Sequence, residues 1–125
     1  MRLLLDTHVV LWWLATPEVI APIASHAIAQ TENTVYVSAA SIWEMGVKQQ
    51  LQKLTLPGDP LEAIVSVGFD CLAITAAHSW RAGSLPPHHR DPFDRLLVAQ
   101  AEMEGMVLVT RDVHISHYGV PILPA

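Results

Sequence analysis

The sequence has one cysteine, few basic residues and no long uninterrupted apolar run. Cys71 cannot form an internal disulfide, so a reducing, cytoplasmic setting is expected, and its apolar neighbours predict a small core residue. No segment reaches the roughly 18 apolar residues of a membrane helix. Asp6 and His8 interrupt the apolar start of the chain, which argues against a signal peptide. We therefore expect a soluble protein without membrane attachment.

Basic residues are also scarce relative to acidic ones. The chain carries 7 Lys and Arg against 12 Asp and Glu, a formal net charge of −5. Passive nucleic-acid-binding modules usually show the opposite balance, so that class is disfavoured. A metal nuclease is disfavoured less, because a cation held among carboxylates reverses the local field. The absence of a Walker loop and of G-x-G-x-x-G leaves a nucleotide cofactor unsupported.

The pattern along the 125 residues predicts one α/β domain spanning residues 1–125. Short aliphatic runs alternate with segments of helical period, which favours a three-layer α/β/α sandwich with a mainly parallel sheet. The runs MRLLL and MVLVT suit strands covered on both faces. Strands are predicted at 2–5, 34–38, 69–75, 106–110 and 120–123, and helices at 9–15, 20–30, 40–51, 60–67, 76–82 and 93–104.

Four acidic residues fall near the predicted carboxyl edge of the sheet. Asp6 directly follows the first strand, and Asp112 lies two residues beyond the fourth. Glu44 lies early in the helix after the second strand. In a parallel sheet these positions share the edge where ligands usually bind. Asp94, in the first turn of a later helix, joins them if that helix begins at the same edge.

Each of these acids could instead have a purely local role. Asp6 could cap the next helix. Ser41 and Glu44 match a capping box, although Ser38 could equally be the cap. The remaining assignments of this kind are Asp91 as N-cap before Pro92 with Asp94 at the third position, and Asp112 as the cap of a short turn at 113–117.

The helix face on which Asp94 lies and the clustering of the acids favour a metal site over helix capping alone. Asp94 shares a helix face with Leu97, Val98 and Ala101, and a carboxylate there is costly unless it is paired or coordinated. Clustered acids also repel one another, and a hard divalent ion such as Mg²⁺ or Mn²⁺ relieves that repulsion. Such an ion activates water for phosphodiester cleavage.

Four blocks of the sequence, in this order, resemble the PIN domain, and in particular VapC-type toxins of bacterial toxin–antitoxin pairs. They are LLLDTHVVLWWL, SAASIWEMGVK, HRDPFDRLLVAQA and LVTRD, and they span nearly the whole chain. The resemblance implies a PIN-like parallel sandwich, Mg²⁺- or Mn²⁺-dependent endoribonuclease activity on RNA, and neutralisation by a VapB-type antitoxin. The family's acidic positions fall on Asp6, Glu44, Asp94 and Asp112, and its Thr or Ser before the last acid falls on Thr110. A homodimer is also expected.

In the mechanism expected from this resemblance, metal-activated water hydrolyses the RNA backbone. Asp6 and Asp94 are the first candidates for direct ligands. Glu44 and Asp112 would complete the site or orient water, and Thr110 could hold a carboxylate. Some relatives carry a different residue near the position of Asp112. Asp112 could therefore orient water rather than bind the ion directly. Three basic residues are candidate phosphate contacts, with solvated surface charge as the alternative: Lys48, Arg95 and Arg111.

Other features have weaker interpretations. His114-x-x-His117 has zinc-ligand spacing but lacks a third marked ligand. His88 and His89, in a proline-rich loop, are predicted to lie at the surface. The apolar helix with Trp12 and Trp13 could line a groove for an antitoxin segment or a dimer contact. Rival functions are a metal-dependent phosphohydrolase acting on a small phosphate ester and a regulatory binding module with an inactive site.

Overall fold

A five-stranded parallel sheet forms the centre of the molecule. The computed structural model describes residues 1–125, and the strands lie in the order β3-β2-β1-β4-β5, with every neighbouring pair parallel. The predicted α/β class with a parallel sheet is confirmed. The strand bounds are β1 (Arg2–Leu5), β2 (Thr34–Ser38), β3 (Asp70–Leu72), β4 (Val107–Thr110) and β5 (Ile122–Pro124).

Helices cover both faces of this sheet because β1 is apolar on both sides. Leu3 and Leu5 are fully buried in one hydrophobic cluster, whereas Leu4, pointing the opposite way, is fully buried in the other. The first cluster draws on α1 to α4 and the second on α5 and α6. The helix bounds are α1 (Thr7–Ala15), α2 (Pro22–Ala29), α3 (Ala39–Gln50), α4 (Pro60–Ser66), α5 (Ala76–Ser84) and α6 (Pro92–Glu104).

The edge strand β3 departs from the sequence prediction. It ends at Leu72 rather than continuing to residue 75, and Cys71 within it is exposed. The prediction that Cys71 is a core residue is therefore wrong. An edge strand lacks the full cover that β1 receives, so an apolar stretch of sequence does not guarantee burial there.

The chain order creates a crevice beside the central strand. From β1 the chain runs outward to β2 and β3, then returns to the other side of β1 to form β4 and β5. In open parallel sheets, ligands bind at the carboxyl ends of the strands at such a switch point. The segments that follow β1 and β4 begin with Asp6 and Arg111 and include Asp112. None of the helices has the length and apolar character needed to cross a membrane.

Candidate active site

Asp6 is buried at the end of β1 and is tied to β4. It occupies the N-cap position of α1, but its side chain makes no capping hydrogen bond. Instead Oδ2 accepts a 2.7 Å hydrogen bond from Thr110 Oγ1, and the residue is only 5% exposed. Burial raises the pKa of Asp6, while the Thr110 hydrogen bond opposes that rise. The simple capping role is therefore wrong for Asp6.

Glu44 lies on the buried side of α3 because of where that helix begins. Ser38 Oγ caps α3 by accepting a hydrogen bond from the Ala40 amide at 2.9 Å, so the Ser41–Glu44 capping box does not form. Glu44 consequently lies in the second turn and is 3% exposed. Its Oε2 pairs with Lys48 Nζ at 2.9 Å, whereas its buried Oε1 has no hydrogen-bond partner. An unpartnered buried carboxylate oxygen is costly and indicates a site for a cation or proton donor.

Asp94 is positioned by the cap of α6. Asp91 Oδ1 accepts hydrogen bonds from the amides of Phe93 at 2.8 Å and Asp94 at 3.3 Å, as the Asp-Pro sequence predicts. Burial, then the charge of Asp6 and then those of Asp91 and Glu44, raise the pKa of Asp94 to about 8. The three acids Asp6, Glu44 and Asp94 are thus close enough to repel one another.

Asp112 is connected to Asp94 through His89. His89 Nε2 lies 2.8 Å from Asp112 Oδ2 and 3.0 Å from Asp94 Oδ2. Burial acts to raise the pKa of Asp112, but the His114 amide, which donates to Oδ1 at 2.8 Å, and the His89 imidazole together lower it. Burial lowers the pKa of His89, yet the hydrogen bond with Asp112 and the charge of Asp94 raise it overall.

Thr110 links Asp6 and Asp112, the two acids that follow the central strands β1 and β4. While its hydroxyl donates to Asp6, the same oxygen accepts a 3.0 Å hydrogen bond from the Asp112 amide. The structure therefore brings together all five residues that the sequence singled out. They are Asp6, Glu44, Asp94, Thr110 and Asp112.

His89 is the residue of this group that sequence reasoning missed. Its side chain is 15% exposed and lies between two acids, so its prediction as a surface residue is wrong. His88, its neighbour, is exposed as predicted. Local sequence gave no signal for this role, because the contact between His89 and Asp112 joins residues 23 apart in the chain. The candidate zinc pair, His114 and His117, gains no third ligand. The ligand atoms that lie within 4.8 Å of one another belong to a different group: His89, Asp94 and Asp112.

Two of the three candidate phosphate contacts have structural partners instead. Arg111 donates to the carbonyls of Val19 and Ala125, the latter at 2.7 Å, and lies 4.3 Å over the ring of Trp12. Lys48 pairs with Glu44 at the site. Arg95 binds the loop before α6, and its guanidinium donates to the carbonyls of Ala82, Gly83, Leu85, Pro86 and His89 and to the Tyr118 hydroxyl. Both arginines therefore hold backbone carbonyls, and contact with a phosphate stays a prediction for them.

Replacing Arg95 with lysine should destabilise the fold by about 2 kcal/mol, because an ammonium cannot reproduce the planar fork that reaches several carbonyls. Chemical denaturation followed by tryptophan fluorescence measures this free energy. Arg90, exposed in the same loop, provides the matched control. Arg90→Lys should change stability by less than about 0.5 kcal/mol. Equal effects of the two substitutions would show that Arg95 does not hold the loop.

Comparison with known proteins supports the fold and relates the chain to ribonucleases. The family model of the PIN domain matches residues 3–121. Ribonuclease VapC22 of Mycobacterium tuberculosis is 31% identical over 121 residues, covering 94% of this chain and 92% of that protein. VapBC2 from Rickettsia felis, solved with a promoter DNA fragment, aligns with a TM-score of 0.72 at 14% identity, over 99% of this chain and 98% of that one. FitAcB from Neisseria gonorrhoeae aligns at 0.65 and 19% identity, over 97% and 96%. Both structural matches show the fold alone.

Proposed function

Since the chain belongs to the PIN-domain family, we propose that it is a metal-dependent endoribonuclease, the toxin of a VapBC-type toxin–antitoxin pair. The curated relative named a ribonuclease supports the activity, and neighbours solved as VapBC complexes support the partner. The observation that carries the proposal is the group of buried acids with an unpartnered Glu44 oxygen. Such a group needs a cation for its charges to be tolerated.

The donor set suits Mg²⁺ or Mn²⁺. All four acids offer hard carboxylate oxygens, which these ions prefer. Asp6, Glu44 and Asp94 would hold the ion directly, with Asp112 completing the site. When bound, the ion supplies positive charge that activates water and stabilises the charge developing on the phosphate during cleavage.

The side chains around the acids leave particular oxygens available. Thr110 uses its hydroxyl proton on Asp6 Oδ2, which orients that carboxylate and leaves Oδ1 for a ligand. Lys48 neutralises Glu44 Oε2 and leaves Oε1 unpartnered. Lys48 is also one-third exposed, so its ammonium can meet a phosphate of the RNA backbone. Hydrolysis would form a bond from the water oxygen to phosphorus and break one phosphorus–oxygen bond of the backbone, while the released ribose oxygen takes the proton that the water loses.

Purified protein should cut single-stranded RNA with Mg²⁺ or Mn²⁺ and should not cut it in EDTA. Gel analysis of total RNA and of single-stranded DNA, with an Asp6→Asn variant alongside, measures this. The RNA should be cleaved only by the unmodified protein, because asparagine keeps the shape of the side chain but removes the charge that holds the ion. Cleavage that persists in EDTA or in Asp6→Asn would overturn the proposal.

An apolar groove suits the antitoxin partner. It has a cavity volume of about 380 Å³ and lies between α1, α3, α4 and the segment 54–60. Leu11, Leu14 and Ala15 of α1 line it, rather than the tryptophans of that helix. Trp13 packs on Phe69 at 6.1 Å between ring centroids. We therefore keep the proposal that α1 lines a groove for the antitoxin, with Leu11, Leu14 and Ala15 as its contact residues in place of the tryptophans. A homodimer and a cytoplasmic location belong to the same proposal.

Introducing a charge into this groove should weaken antitoxin binding at least tenfold. Ala63, on the α4 wall of the groove, is replaced with glutamate, which adds a charge that an apolar antitoxin segment would have to desolvate. Val65 lies on the same helix outside the groove and is 68% exposed, so Val65→Glu is the control. Isothermal titration with the cognate VapB-type antitoxin measures both affinities. Similar losses for the two variants would remove the groove from the interface.

A further inference from the structure

His89 connects two acids that come from different parts of the fold. Asp94 belongs to α6, whereas Asp112 belongs to the segment after β4. The Nε2 atom of His89 lies within hydrogen-bond distance of both, at 3.0 Å and 2.8 Å. The Nε2 atom hydrogen-bonds to Asp112 and makes an ion-pair contact with Asp94. His89 is therefore the direct physical link between them.

The other ring nitrogen indicates how His89 makes this link. Nδ1 accepts a hydrogen bond from the Asp91 amide at 3.2 Å, so in a neutral ring the proton lies on Nε2. Nε2–H then donates to Asp112 Oδ2, while Asp94 Oδ2 lies 3.0 Å from the same nitrogen. A histidine that coordinated a metal through Nε2 would instead use Nδ1–H as a donor. The hydrogen-bond pattern thus favours a donor rather than a metal ligand.

The backbone of His89 is held from both sides. Its amide donates to the Tyr118 hydroxyl at 2.8 Å, and its carbonyl accepts from Arg95 at 3.2 Å. The Tyr118 hydroxyl in turn donates to the Pro86 carbonyl at 2.8 Å. These contacts hold the backbone of His89, and the Asp91 amide on Nδ1 holds the ring, so little conformational entropy is lost in maintaining the link.

We propose that His89 is a positioning residue: its imidazole ties Asp112 to Asp94 and so keeps Asp112 within the acidic group. This inference rests on the proposed function and extends it. Without the link, the Asp112 carboxylate keeps only its hydrogen bond from the His114 amide, and Asp6 and Asp112 repel each other. Loss of such an outer contact typically costs about 10–100-fold in metal affinity.

The test compares His89→Ala and His89→Gln with the control His117→Ala. Glutamine can present an amide N–H near the position of Nε2, whereas His117 is an exposed histidine that touches none of the acids. Mn²⁺ dissociation constants come from isothermal titration, and kcat and KM from a short RNA. We expect His89→Ala to weaken Mn²⁺ binding about 10–100-fold and to lower kcat more than it changes KM. His89→Gln should recover most of both losses, and His117→Ala should match the unmodified protein.

Two results would overturn the role of His89. One is unchanged Mn²⁺ affinity in His89→Ala. The other is failure of His89→Gln to recover the losses, which would show that an N–H donor at this position is not sufficient. The carboxyl ¹³C resonance of Asp112, recorded in EDTA, separates this inference from the proposed function. It should move in His89→Ala and not in His117→Ala even if the protein neither binds Mn²⁺ nor cuts RNA. An unmoved resonance would contradict the link.

Discussion

Replacing Asp94 with asparagine should lower RNA cleavage by at least about a hundredfold and, in EDTA, should raise the thermal stability of the protein. Activity falls because the ion loses a direct ligand, a larger loss than that of an outer contact. Stability rises because burial, and then the charges of Asp6, Asp91 and Glu44, disfavour the ionised Asp94 carboxylate and raise its pKa to about 8. Removing its charge relieves that repulsion, as expected where a site sacrifices stability for function.

Initial cleavage rates and thermal midpoints at pH 8.5 measure the two effects together. Asp59 provides the control, because it is an aspartate at the start of a different helix and outside the acidic group: it caps α4 by accepting the Leu61 amide at 2.9 Å. Asparagine caps helices as well as aspartate does, so Asp59→Asn should change neither quantity appreciably. A drop in stability for Asp94→Asn, or full activity, would show that Asp94 is not a strained ligand.

Saturating Mn²⁺ should stabilise the protein strongly, and more so at high pH. At a free concentration 100 times the dissociation constant, an ion that binds only the folded state adds about 2.7 kcal/mol. For a chain of this size that corresponds to a rise in the thermal midpoint of about 10 °C. The effect should increase with pH because Asp94 must lose its proton before it can coordinate the ion.

The sign of the pH dependence without metal follows from the same groups. The pKa of Asp94 rises from 3.8 to about 8 on folding, and the pKa values of Asp6 and His89 are also raised. Between about pH 4 and pH 8 the folded state therefore holds more protons than the unfolded chain, so stability falls as pH rises. The lowered pKa of Asp112 acts only at lower pH, where stability is lost as that carboxylate protonates.

Thermal scans at pH 5.5 and pH 8.5, each in EDTA and in Mn²⁺, test this account. In EDTA the midpoint should be lower at pH 8.5, and Mn²⁺ should raise it most there. Asp94→Asn should lose most of both responses. A midpoint in EDTA that is higher at pH 8.5 than at pH 5.5 would mean that the acids are not mutually repelled.

The parallel sheet could be predicted because the central strands are buried on both faces. MRLLL and MVLVT are almost continuously apolar, and only a strand covered by helices on both sides tolerates such a run. The edge strand was harder, since Cys71 looks apolar in sequence but lies exposed in β3. Local pattern does not report how many neighbours a strand has.

The acidic group could be predicted for a related reason. The carboxyl ends of parallel strands share one edge, so Asp6 and Asp112 had to fall near each other once the topology was known. The start of α3 was ambiguous, because Ser38 and Ser41 are equally good caps in sequence. The structure selects Ser38, whose hydroxyl also donates to Gln100 Oε1 at 2.5 Å, a contact between residues far apart in the chain.

The roles of His89 and Arg95 could not be predicted from local sequence. Both depend on the loop before α6 folding back over the helix, where Arg95 meets carbonyls from residues 82 to 89 and His89 meets Asp112. A basic side chain close to acids in the sequence suggests a phosphate contact. Only its hydrogen bonds in the folded protein show that it holds a loop. Tertiary contacts of this kind leave no periodic signal in a single sequence.

Anomalous scattering from crystals soaked in Mn²⁺ locates the ion that the proposed ribonuclease requires. We expect an anomalous peak among the carboxylates of Asp6, Glu44 and Asp94, about 2 Å from the coordinating oxygens, and no such peak in crystals of Asp6→Asn. A well-ordered protein with no peak at these acids, or with its peak elsewhere, would contradict the assignment of this group as the metal site of a ribonuclease.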